Sequence, residues 1–408
     1  MPDDVRQPGA FKPPYMPAVA VPTQAGPEGL RFDFNEGCRV QLADNGRRWR
    51  VRLSDLDTFN TLFETSGEFR AGTVRSAKRY FIRFRIEAWQ DDELVFTHDY
   101  DARGQEVLVQ LYPHTVGDGI GWFPNAVRFQ ARHGCRLTCA MGEPLIPLFR
   151  DAYPDIEFVP YDAVDTGRYY ASYIVGVFFE DPGWVLQPCD FRLVGLHRTA
   201  AYILGMDPDD APPRVALADD SRPLAEPYVC IATQATGQYK YWNNPGGWSE
   251  VVRYLKELGY RVVCIDQKPM HGQGLSWNHI PAGAEDQTGD RPLQERARWL
   301  RHADFFIGLS SGLSWLAWAV GAKVVMISGF THPINEFPTP YRVVNYHVCN
   351  SCWNDQQLMF EQDDFMRCPR HKGTPRQFEC SAAITAEHVK STLRRIPGFA
   401  RLRRRDAQ

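Results

Sequence analysis

The chain has 408 residues, 44% of them hydrophobic and 23% charged, the balance of a soluble globular protein with room for two or three domains. A formal net charge of −3 provides no global field to recruit nucleic acid or an anionic membrane, and no apolar run approaches the ~20 residues needed to span a bilayer. Aromatic residues reach 13%, with 11 Trp, which points to large cores or ring-lined pockets.

Residues 1–29, "MPDDVRQPGAFKPPYMPAVAVPTQAGPEG", lack a basic start followed by an apolar core. They predict a flexible arm rather than a signal peptide, and hence a cytoplasmic protein. Residues 30–105 alternate apolar and polar positions in "LRFDFNEGCRVQL", "RRWRVRL", "RYFIRFRIEAWQ" and "ELVFTHDY". That pattern predicts an antiparallel β-barrel or sandwich, with "DNGR" as a tight hairpin turn.

Residues 106–225 read as a first Rossmann-like domain. "EVLVQLY" is a strand buried on both faces, "TVGDGIGW" a Gly-rich loop, and "FPNAVRFQARHG" a helix stopping at Gly134. "CRLTCAM", "IEFVPYD" and "YYASYIVGVFF" continue the sheet, and "FRLVGLHRTAAYILGM" reads as one amphipathic helix. A Pro- and Asp-rich linker follows. Residues 226–345 then repeat the βα pattern as a second Rossmann-like domain, with strands "YVCIAT", "RVVCID", "DFFIGLS" and "KVVMISG". Residues 346–382 form a cysteine-rich excursion, and 383–408 a C-terminal helix with the basic tail "RLRRRDAQ". Two α/β units of this kind bind ligands beyond the carboxyl ends of their strands.

Three stretches carry candidate chemistry. In "IGLSSGLSWLAWAVG", Ser310, Ser311 and Gly312 lie between a strand and a helix, where free N–H groups suit a diphosphate; Ser as an ordinary helix cap is the alternative. In "ATQATGQYKYWNNPGGW", Thr233 and Gln234 end a strand as candidate ligand-binding residues, and Lys240 can neutralise phosphate charge. In "LYPHTVGDGIGW", Asp118 can accept the proton of an attacking hydroxyl, or simply cap the next helix, and His114 lies nearby.

The cysteines Cys349, Cys352, Cys368 and Cys380 have the spacing C-x2-C-x15-C-x11-C. Four thiolates suit a closed tetrahedral metal site without an open catalytic position, and both zinc and iron are compatible with it. The other six cysteines are scattered and read as free thiols.

Taken together, these motifs resemble the bacterial autotransporter heptosyltransferases, relatives of the ADP-heptose:lipopolysaccharide heptosyltransferases. The resemblance spans nearly the whole chain. It implies an α/β, GT-B fold: two Rossmann-like domains, an N-terminal β domain and a C-terminal four-cysteine metal finger. It also implies transfer of heptose from ADP-heptose to serine hydroxyls of an adhesin passenger. By the same resemblance Asp118 is the base and Lys240, Ser311 and Gly312 meet the diphosphate. Cys349, Cys352, Cys368 and Cys380 hold structural iron, and twelve subunits assemble. Ser310 and Trp315 depart from the lipopolysaccharide enzymes, which have Asp and His at those places, and this favours the protein-modifying branch. A lipopolysaccharide core heptosyltransferase and a non-enzymatic scaffold built on the four cysteines are the alternative readings. Neither nucleic-acid binding nor membrane insertion is expected.

Overall fold

A computed structural model describes residues 15–65, 69–112, 115–361 and 363–399. Residues 1–14 of the expected N-terminal arm, His114 and the basic tail lie outside the described residues. Contacts divide the chain into two compact units that interleave in sequence. One comprises Met1–Pro113, Phe129–Gly142 and Asp155–Gly176; the other comprises His114–Arg128, Glu143–Pro154 and Val177–Gln408.

The first unit begins with strands β1 (Gln24–Ala25), β2 (Arg31–Asn35), β3 (Arg39–Leu42), β4 (Trp49–Asp55) and β5 (Thr61–Glu64). It continues with β6 (Gly72–Arg75), β7 (Phe84–Gln90), β8 (Glu93–Asp99) and β9 (Glu106–Leu111). Helix α1 (Val116–His133), most of which belongs to the second unit, leads back to β10 (Arg136–Met141). After α2 (Ile146–Phe149), again of the second unit, β11 (Glu157–Pro160) and β12 (Ala171–Val175) complete the first.

The N-terminal strands do not close on themselves as the expected separate module. β2 lies parallel to β12, and the sheet order β11-β10-β9-β12-β2-β3-β6 joins them to the parallel strands. β4, β5, β7 and β8 form a second, antiparallel sheet. The expected "DNGR" turn forms, with Gly46 at φ 82°, but it carries the chain from β3 in one sheet to β4 in the other. A hairpin turn lies instead at Asp91–Asp92, both at positive φ, between the paired strands β7 and β8.

Where β2 meets β3, Asp33 and Arg39 face each other across the ladder and form a bidentate ion pair at 2.7 and 2.6 Å. Their side chains are 0% and 3% exposed. Asn35 donates to the same carboxylate at 2.8 Å. A buried pair needs such extra hydrogen bonds to offset its desolvation.

The second unit also contains α3 (Phe191–Val194), α4 (Leu196–Ile203), β13 (Tyr228–Ile231), α5 (Gly247–Glu257) and β14 (Arg261–Cys264). A hairpin of β15 (Met270–Gln273) and β16 (Ser276–His279) follows, then β17 (Glu285–Asp286), α6 (Leu293–His302) and β18 (Phe306–Leu309). The unit ends with α7 (Gly312–Ala319), β19 (Val324–Ile327), β20 (Tyr341–Val343), α8 (Glu379–Ala382) and α9 (Ala386–Leu393). Its parallel sheet has the order β17-β14-β13-β18-β19-β20.

β13, β18 and β19 are buried at every position, as their unbroken apolar runs require. α5 buries Val251, Val252 and Leu255 on that sheet and stops at Gly259, φ 91°. The stretch expected to be one amphipathic helix is two, α3 and α4. Gly195 between them has φ 94°, and a Cβ there would lie 2.1 Å from the Ile334 carbonyl oxygen. Among the described residues no helix is long and apolar enough to cross a membrane.

Substituting Arg39→Met leaves the Asp33 carboxylate buried without its cation. The expected cost is about 3–5 kcal/mol, read as a lowered urea midpoint, with much of the loss recovered when Asp33 is also made apolar.

Candidate functional site

Asp118 lies in a helix rather than in the expected loop, because α1 begins at Val116. The Thr115 amide donates to Asp118 Oδ2 at 3.2 Å, and the Asp118 amide donates to Thr115 Oγ1 at 3.4 Å. This is a reciprocal capping box. The glycines of "VGDGIGW" make room for this chain's own side chains. A Cβ on Gly117 would lie 2.6 Å from the Trp315 ring, one on Gly121 3.0 Å from it, and one on Gly119 2.3 Å from Leu145. Helix α7 thus packs its Trp315 against the first turns of α1.

The start of α7 closes this contact from the other side. A Cβ on Gly312 would lie 3.0 Å from Val116 and 3.3 Å from the Gly117 nitrogen. Ser311 stands at the N-cap position but makes no capping hydrogen bond, and its buried Oγ has no partner among the described residues. A buried hydroxyl without a partner beside free helix N–H groups is open to an anionic ligand. Ser310 is committed differently: its hydroxyl donates to Glu336 Oε1. Glu336 is itself buried, pairs with Arg342 at 2.8 Å and accepts from Asn335 at 3.1 Å.

Thr233, at the end of β13, does not face the cavity as expected. Its amide and hydroxyl both donate to the buried Asp266 carboxylate, at 2.7 and 2.9 Å. Gln234 does line the cavity, its amide donating to Asp266 and its side chain to the Lys268 carbonyl. Lys240 ends a short 3-10 turn, Gln238–Lys240. One cavity of about 930 Å³ in the second unit brings together Asp118, Gln234, Lys240, Ser310, Ser311 and Gly312.

Electrostatics ties the group together. Burial raises the Asp118 carboxyl to about 6, and the Lys240 ammonium and the Thr115 hydrogen bonds hold it from rising further. Burial lowers Lys240, opposed by Asp118 and Glu336. A carboxyl titrating near 6 is a base at neutral pH that still binds a proton readily.

Of the ten cysteines none forms a disulfide. The fold brings Cys349, Cys352, Cys368 and Cys380 into mutual electrostatic range. Burial first, then the neighbouring thiols, push Cys352 up to about 11 and Cys380 up to about 12. His371 and Glu379 also stand beside Cys349, with donor atoms within 4.8 Å of one another, and Glu379 accepts the Cys349 amide at 3.1 Å. Within the same excursion Trp353 and Phe360 reach the cavity.

Sequence reading passed over Asp266, Glu336, Trp353 and Phe360. Asp266 carried a signal, as a carboxylate ending the apolar strand "RVVCID". Glu336 carried none, since only folding brings it to Ser310 and Lys240.

Two family models match the chain: "Glycosyltransferase TibC, N-terminal domain" over residues 26–92, and "Glycosyltransferase family 9 (heptosyltransferase)" over residues 201–364. The autotransporter heptosyltransferase TibC of Escherichia coli O78:H11 is 51% identical, covering 92% of this chain and 91% of the relative. A protein of Burkholderia thailandensis named "Inactive autotransporter heptosyltransferase BimC" is 50% identical, covering 95% and 90%. The crystal structure of TibC, described as an iron-containing dodecameric glycosyltransferase, superposes with a TM-score of 0.89 at 50% identity, covering 94% of this chain and 99% of that one. A second TibC structure, in complex with ADP-D-beta-D-heptose, gives the same TM-score. The chain therefore belongs to the autotransporter heptosyltransferase family, within the glycosyltransferases of family 9.

Because the Lys240 charge holds the Asp118 carboxyl down, Lys240→Met is expected to move its titration above about 6. Side-chain carboxyl NMR of the two proteins reads that shift directly, without substrate.

Proposed function

We propose that the chain is an inverting glycosyltransferase that moves heptose from ADP-heptose to serine hydroxyls of an autotransporter adhesin passenger. The observation that carries this reading is the convergence of Asp118, Lys240 and the partnerless Ser311 hydroxyl at the α7 start in one cavity. Family membership and the TibC complex with ADP-D-beta-D-heptose support it.

Asp118 takes the proton of the acceptor hydroxyl as that oxygen attacks the anomeric carbon. The bond from that carbon to the diphosphate oxygen breaks, with inversion. Lys240 and the amides at the start of α7 stabilise the charge developing on ADP, where fixed donors act most strongly in a partly desolvated cavity. The Asp118 and Glu336 carboxylates favour the charged form of Lys240 against its burial, which keeps a cation available to the diphosphate.

The four cysteines suit a closed tetrahedral metal site: four soft donors on one excursion, whose neighbouring thiols help to raise Cys352 and Cys380. Iron is the metal in this reading, in keeping with the iron-containing TibC structure, with zinc as the alternative. When bound, the metal supplies a cross-link for a segment with little regular secondary structure. Homo-oligomerisation, by analogy with the TibC dodecamer, and a cytoplasmic location complete the reading.

A second reading, a catalytically silent scaffold, draws support from the BimC name at 50% identity. Co-expression with a passenger separates the two: a heptose mass increment on passenger serines supports the enzyme, and its absence alongside intact assembly supports the scaffold.

For the enzyme, Asp118→Asn is expected to lower kcat about 10²–10⁴-fold. The wild-type kcat/KM should fall about tenfold per pH unit below about 6, where the carboxyl takes up its proton, and the variant should lack that limb. A near wild-type rate for Asp118→Asn refutes the base assignment. Cys352→Ser is expected to lose bound metal, read by elemental analysis of the purified protein, and to lose assembly, read by light scattering.

A further inference from the structure

Lys240 meets the cavity on a long, flexible stem, so the place of its charge depends on how its backbone is held. The turn that carries it, Gln238–Lys240, is closed by two side chains. The Gln238 side chain donates to Asn243 Oδ1 at 2.7 Å. The Asn243 side chain donates in return to the Gln238 and Tyr241 carbonyls, at 3.1 and 3.0 Å. Together these bonds close a ring of polar contacts that brackets Lys240 on both sides in the chain.

The ring is tied to two other parts of the unit. Gln238 Oε1 accepts from Asn278 at 2.8 Å and from Ser276 at 3.2 Å, both on β16. The Gln238 amide donates to the Phe365 carbonyl at 2.9 Å, and the Asn243 amide donates to Ser381 Oγ at 3.3 Å. The β15–β16 hairpin and the cysteine-rich excursion therefore both hold this one short turn. Gln238 is 7% exposed, and at that burial a polar group left without its partner is costly.

We propose that Gln238 and Asn243 are positioning residues for Lys240: they fix the backbone from which its ammonium reaches the diphosphate and Asp118. The inference rests on the reading of Lys240 as the cation for the diphosphate, and extends it to the residues that place that charge. Apolar packing already buries the segment, since Tyr239, Tyr241 and Trp242 all lie inside and the Trp242 indole donates to the Ile384 carbonyl at 2.8 Å. The polar ring adds geometric precision instead. A cation aimed at a developing charge needs it, because a misplacement of about 1 Å costs about 10²-fold in rate. Lys240 faces the Asp118 and Glu336 carboxylates. Burial raises Asp118 and the Lys240 charge opposes the rise, so a displaced ammonium registers at Asp118.

Carboxyl titration of Asp118 in four full-length proteins tests the assignment: wild type, Gln238→Met, Lys240→Met and the double variant. Gln238→Met keeps the length of the side chain and removes its hydrogen bonds. It is expected to move the titration above about 6, in the direction of Lys240→Met, and to add nothing once Lys240 is already Met. The kcat/KM should fall about tenfold in the wild-type background and stay within about twofold in the Lys240→Met background. A titration that Gln238→Met leaves unmoved overturns the proposal. So does an equal fall of kcat/KM in both backgrounds, which marks a merely structural role. If Gln238→Met fails to fold, Asn278→Ala removes one of its partners at a half-buried position and carries the same comparison. A Lys240→Met titration equal to that of the wild type refutes the pairing of Lys240 with Asp118, and the positioning role with it. Wild-type protein that transfers no heptose refutes the transferase reading, and the titration cycle still decides how Lys240 is held.

Discussion

The candidate site depends on one close packing contact, the approach of α7 to the first turns of α1. Gly117 and Gly121 leave the space that Trp315 fills, and Gly312 lets the α7 start press against Val116. A methyl group at Gly117 or Gly312 would force these backbones apart, since packed interiors leave no slack. The contact sets Asp118, in the first turn of one helix, near the Ser311 hydroxyl and amides that begin the other. Trp315 is therefore a structural spacer.

Within that frame the charges are arranged against one another. Asp118 and Lys240 are each pushed toward neutrality by burial and held charged by the other. Glu336 adds a second carboxylate toward Lys240, but Arg342 and Asn335 already satisfy it and the Ser310 hydroxyl is committed to it. The Ser310 hydroxyl is thus engaged, whereas the Ser311 hydroxyl has no partner among the described residues. Thr233 is likewise a support, locking Asp266 at the end of β14.

The cysteine excursion joins three tasks in one segment. Its four thiols come into mutual electrostatic range, and Cys349, His371 and Glu379 offer donor atoms within 4.8 Å of one another. Hydrogen bonds from Trp353 and Asn354 tie it to the Phe330 carbonyl and to α3, and its rings line the cavity. A loop of about thirty residues with few helical or strand hydrogen bonds loses much conformational entropy on ordering. A cross-link restricts the unfolded chain, lowers that loss and keeps Trp353 where it stands.

The sequence by itself determined the strands and helices of the α/β units, because unbroken apolar runs and 3.6-residue periodicity have a single low-energy burial. It also determined the residue types of the site: a carboxylate, a lysine, small residues before a helix and four cysteines at metal spacing. It misjudged where backbone geometry depends on distant partners. "VGDGIGW" reads as a loop because glycine disfavours helix, yet a capping box and the Trp315 and Leu145 contacts make it helical. "FRLVGLHRTAAYILGM" reads as one helix because its periodicity survives the Gly195 break, which the nearby Ile334 carbonyl enforces. "DNGR" is a true turn, but which strands it joins depends on pairing partners tens of residues away. Only the tertiary structure brought Asp266, Trp353 and Phe360 to the cavity wall and Glu336 to Ser310, since such contacts are assembled by long-range packing that local spacing does not encode.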